Sequence, residues 1–172
     1  MKAVAVFVLV GLSTLAQVAV SPLFPLHAAV ADIGLLGLVL VLLMAGPRSA
    51  MVAVPLLGLL LSFATNRSPG LFILAYLPLP PLAYLLGETQ LPMMRFVRIL
   101  TAAVGTGVWA RLLFGMVAFL QGADFAPGEL IRAIIVPGLV LDALLVTIIY
   151  LPCRLAGLTG RSMSLRRTGW VS

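Results

Sequence analysis

The chain has 172 residues, of which 62% are hydrophobic and 9% charged, with a mean hydropathy of +1.21 and a net charge of +6. A soluble domain carries about 25% charged residues, so water cannot solvate most of this surface, and lipid must do so. A single cysteine, Cys153, excludes an internal disulfide and a cysteine-rich metal cluster, both of which need several thiols to converge.

The basic excess would suggest nucleic acid in a soluble protein. Here it falls in connecting segments and at the tail, where membrane topology explains it, and no nucleic-acid partner is expected. Charge, Pro and Gly divide the chain into six apolar runs at about 3–20, 28–45, 50–66, 70–87, 96–121 and 131–153. A helix needs about 20 residues to cross a hydrocarbon core of ~30 Å. Helices satisfy their backbone groups internally, and the runs lack the alternation of a barrel wall. The predicted fold is therefore an all-α integral membrane protein of about six transmembrane helices, a bundle over 1–157 with a basic tail over 158–172.

The first run begins like a signal peptide, with Lys2 ahead of an apolar stretch. It is read as an uncleaved helix, because apolarity continues to Val20 and the small-residue pattern around Ala16 and Ala19 is imperfect. Short connections make neighbours antiparallel. With the first helix starting inside, the inner segments hold Lys2, Arg48, Arg95, Arg98, Arg154, Arg161, Arg166 and Arg167, whereas the outer ones hold Arg67 and Arg132. That asymmetry places both termini in the cytoplasm, with the tail and its Trp170 along an anionic inner leaflet.

Asp32 opens the second helix, where a carboxylate complements the positive helix end and can stay near the outer headgroups. His27, in the preceding outer loop, has no neighbouring ligands and reads as interfacial. The fourth run carries Pro78, Pro80 and Pro81, which remove three backbone donors and should bend or break it. Such a break either exposes backbone to a substrate, as in transporters, or is a kink covered by neighbouring helices. Pro55 and Pro137-Gly138 should bend the third and sixth helices more mildly.

Arg111 and Asp142 lie inside the fifth and sixth runs, where each charge costs about 2.5–3.5 kcal/mol on insertion scales. Counting from the outer ends at about 1.5 Å per residue puts both ~15 Å deep. They are predicted to form a buried ion pair pinning these helices together; the rival reading is a polar cavity for a ligand or proton. Ala103 with Gly107, and Ala102 with Thr106, form a small-residue face that permits close helix packing. No catalytic constellation is visible: the serines lack a base partner, and no HExxH or Gly-rich phosphate loop occurs. No enzyme activity, metal or cofactor is expected.

Several features recur in a recognisable order. Ala31-Asp32-Ile33 leads into an apolar helix, the turn Gly46-Pro47-Arg48 follows, and then come Gly58-Leu59-Leu60, Pro69-Gly70-Leu71 and Val136-Pro137-Gly138-Leu139. In this the chain resembles the MreD family of bacterial rod shape-determining membrane proteins. Ser62 stands where that family commonly has an acidic residue, and Asp142 where it often has Asn. The resemblance implies a non-enzymatic scaffold in the bacterial cytoplasmic membrane. Its partners would be MreC, a RodA-like glycosyltransferase and a penicillin-binding transpeptidase. The family's fold is similar to that of vitamin-binding subunits of energy-coupling-factor transporters, which supplies the alternative of a small-molecule transport subunit. Fold alone does not separate the two.

Overall fold

The computed structural model describes residues 2–20, 30–86, 92–123, 128 and 130–155, and all elements among them are helical. In chain order these are α1 (Lys2–Ala19), α2 (Ile33–Ala45), α3 (Pro47–Thr65), α4 (Pro69–Tyr76), α5 (Leu79–Leu85), α6 (Pro92–Leu120), a π-helical turn (Leu130–Ile135) and α7 (Val136–Leu155). His27 and the tail from residue 156 onward lie outside the described residues.

Among the described residues, three stretches are long and apolar enough to cross a membrane: Pro47–Thr65, Arg95–Leu120 and Leu130–Leu155. Three shorter apolar helical stretches, Val4–Ala19, Ile33–Ala45 and Pro69–Leu85, accompany them. Large apolar side chains cover the outside, with Phe63 84%, Leu155 83% and Leu85 77% exposed. In water so much exposed apolar surface would drive aggregation, whereas in lipid it is ordinary solvation. This is the architecture of a membrane protein.

At the centre stands α2. Its sequence, IGLLGLVLVLLMA, is apolar all round, and a helix of that kind is stable only when surrounded. Accordingly it is buried from Gly34 to Val39 and from Val41 to Leu43, with α1, α3, α6 and α7 packed about it. Gly37 lets α1 approach closely, since a Cβ there would collide with the Ser13 side chain. Gly58 does the same for α3 and α4: its Cβ would meet Ile73 Cγ1 at 2.6 Å and the Ile73 amide at 3.0 Å.

Element boundaries depart from the predicted runs for local reasons. The second helix begins at Ile33 rather than residue 28, because Asp32 caps it: Asp32 Oδ1 accepts from the Leu35 amide at 2.9 Å. At about 1.5 Å per residue, its 13 residues span ~20 Å, less than a hydrocarbon core. The third helix starts at Pro47, where a missing N–H costs nothing, so the predicted connection shrinks to Gly46 at φ +86°. Its C-cap is Asn66, a left-handed residue at φ 53°. Despite Pro55, α3 is continuous.

The proline-rich fourth run breaks at Leu77-Pro78 into α4 and α5. The sixth run opens as the π-helical turn before α7, directly ahead of Pro137, which has no amide to continue an α-helical ladder.

Candidate functional site

Five polar side chains meet at the beginning of α2. A helix start leaves its first amides without intrahelical acceptors, and here that start is enclosed by protein, so side chains must supply them. Asp142 on α7 accepts the Asp32 amide with Oδ1 at 3.0 Å. Gln17 near the end of α1 accepts the Gly34 amide with Oε1 at 3.0 Å. Asp32 itself takes the Leu35 amide and also receives the Tyr76 hydroxyl of α4, at 3.0 Å from Oδ1 and 3.1 Å from Oδ2.

Asp142 has a second duty. Its Oδ2 lies 2.6 Å from Arg111 Nη1 on α6, in an ion pair whose side chains are 2% and 10% exposed. The same Arg111 nitrogen donates to the Gly107 carbonyl one turn earlier, at 3.3 Å. Two glycines make the space. A Cβ on Gly138 would lie 2.6 Å from Arg111 Nη2 and 2.7 Å from Cζ, and one on Gly107 would lie 3.0 Å from Nη1 and 3.2 Å from Asp142 Oδ2. The guanidinium therefore packs directly against the α7 backbone at Gly138. Two carboxylates at the amide end of α2 complement its dipole, and the arginine balances one of them.

Five segments thus converge on one cluster: Gln17, Asp32, Tyr76, Arg111 and Asp142. Sequence reading paired Arg111 with Asp142 but left Asp32 at the outer headgroups. The structure instead brings it, only partly exposed, against Asp142. Tyr76 and Gln17 were missed. A phenol or amide in an otherwise apolar helix needs a partner, and that was the available signal.

The proline break forms a second polar feature. Pro78 has no amide for the Leu74 carbonyl four residues before it. Trp109 Nε1 on α6 donates to that carbonyl instead, at 2.9 Å. Pro80 is buried and Pro81 exposed in α5.

The remaining motif residues shape the scaffold. Gly46 and Pro47 make the α2–α3 corner, Arg48 is exposed on the first turn of α3, Pro69 opens α4 with Gly70 exposed beside it, and Pro137 lies in the first turn of α7. Ala102, Ala103, Thr106 and Gly107 all face inward, so the small-residue face of α6 packs within this chain. Arg98, counted from sequence as an inner cation, is 7% exposed. Among the described residues no three His, Cys, Asp or Glu side chains gather as a metal site.

No family model, no curated protein and no solved structure matches this chain. The cluster defines a class in physical terms: a helical membrane bundle in which Asp32, Arg111 and Asp142 are engaged with one another and with backbone groups at the start of its central helix.

Proposed function

We propose that this protein is a non-enzymatic, multi-pass scaffold of the bacterial cytoplasmic membrane, acting in cell elongation as the MreD resemblance implies. It would bind MreC and support a RodA-like glycosyltransferase and a penicillin-binding transpeptidase in peptidoglycan synthesis. The observation that favours this reading is the closed polar cluster. Both Asp142 oxygens, both Asp32 oxygens and the Gln17 carbonyl oxygen accept bonds from within the chain, so the cluster is engaged in holding helices together. Binding to partners then falls to the apolar exterior. In this reading the chain crosses the membrane six times with both ends in the cytoplasm, as the basic residues vote.

The transport-subunit alternative draws on a different feature, the short α2 with its amide end inside the bundle, since helix ends of that kind receive anionic ligands in transporters. One experiment separates the two. Tagged protein is crosslinked in native membranes and purified. Recovery of MreC-like and RodA-like chains supports the scaffold; recovery of an ATPase module with a stoichiometric vitamin refutes it. Topology is tested by cysteine labelling at Ser21 and Ser172, and labelling of both from the periplasmic side contradicts the cytoplasmic tail.

A further inference from the structure

A groove runs between α1 and α2 on the outside of the bundle, lined among others by Val4, Ala5 and Leu12 on one side and Val41, Met44 and Ala45 on the other. The side chains that line it are all apolar. From Val4 to Leu12 it extends ~12 Å along α1, less than half of a ~30 Å hydrocarbon core. One end is blind, because just past Leu12 the two helices close together where Ser13 packs on Gly37. A membrane-crossing partner helix would need a track through both leaflets. One leaflet's depth with a closed inner end suits a single acyl chain.

The open end carries a cation. Arg48, on the first turn of α3, is exposed three residues beyond Ala45. Neither α2 nor α3 carries an acidic residue to offset it. We infer that this groove binds one acyl chain of an anionic phospholipid, with the lipid phosphate held at Arg48. Acyl packing in the groove carries no headgroup preference, and Arg48 supplies one, since a basic residue near a membrane surface attracts anionic lipid. The site lies apart from the polar cluster and does not depend on the scaffold reading.

The test uses the full chain, delipidated in detergent and titrated by native mass spectrometry with phosphatidylglycerol, phosphatidylcholine or glycerol phosphate. Phosphatidylglycerol is expected to bind about five-fold more tightly than phosphatidylcholine, and glycerol phosphate alone not to bind. Arg48→Gln should remove most of that preference, and Ala5→Trp, which fills the groove from an exposed position, should weaken both lipids. Equal affinity for the two lipids in the unaltered protein overturns the proposal, whatever the variants do. So does unchanged binding in a folded Ala5→Trp protein. Photocrosslinking from position 5 in native membranes gives a further readout: capture of lipid agrees with the inference, and capture of a membrane protein in its place refutes it.

Discussion

The indole of Trp109 donates to the Leu74 carbonyl across 2.9 Å, and that carbonyl is the one Pro78 leaves without an intrahelical donor. A helix broken by sequence is thereby completed by its neighbour. Trp109→Phe should cost about 0.6–1.7 kcal/mol, from the average to the largest value for interhelical hydrogen bonds in membranes. Pro78→Ala restores an amide to the ladder and should erase most of that loss. A double-mutant cycle, followed by circular dichroism during unfolding in mixed micelles, checks this; additive effects of the two substitutions would contradict the shared carbonyl.

Gly138→Ala should loosen the ion pair without touching either charge, because the new methyl group would occupy the place of the Arg111 guanidinium. Overpacking of this kind costs about 1–3 kcal/mol. Gly70→Ala is the control: it is exposed, and the nearest atom, Ser68 Oγ, lies 3.8 Å from the added carbon. Its effect should stay within about 0.5 kcal/mol. Thermal stability in detergent distinguishes the two variants.

Arg111→Met strands a buried carboxylate, and losses of about 3–5 kcal/mol accompany such half-broken pairs. Arg111→Met combined with Asp142→Asn should recover a large part, since Asn keeps an oxygen for the Asp32 amide while shedding the charge. The exchange Arg111→Asp with Asp142→Arg should fail to recover stability. An arginine at 142 has no acceptor to offer Asp32, whose amide now bonds Asp142 Oδ1 at 3.0 Å. Recovery by the exchange, measured as folded yield after reconstitution, would mean the Asp32 contact contributes nothing.

Tyr76→Phe removes the hydroxyl that both Asp32 oxygens receive. A loss of about 1–2 kcal/mol is expected. Tyr84→Phe, on a side chain 65% exposed, should be nearly silent. Unfolding of the two variants side by side provides the comparison.

Much of the helical character was readable because lipid demands it: runs of apolar residues bounded by Arg, Pro and Gly become helices, and the break near Pro78 follows from missing amides. Counting residues inward brought Arg111 and Asp142 to one level. What pattern could not supply was position around the bundle. Asp32 looks like a surface cap because most caps are wetted, and only the packing of α7 against the start of α2 reveals a second carboxylate above it. Gly138 reads as a mild bend beside Pro137, and its use as a bed for Arg111 depends on a partner helix. The small-residue face of α6 was visible as a face, but period alone does not say whether its neighbour is in the same chain.

The contact between the Asp32 amide and Asp142 joins residues 110 positions apart. At a synthesis rate of about 5–20 residues per second, the ribosome needs roughly 5–20 s to travel from one to the other. Through that interval the beginning of α2 has been made, and the carboxylate that receives its first amide has not. The short central helix is therefore among the first elements translated and among the last to be completed, which couples the quality of the amino-terminal half to successful insertion of the final helix.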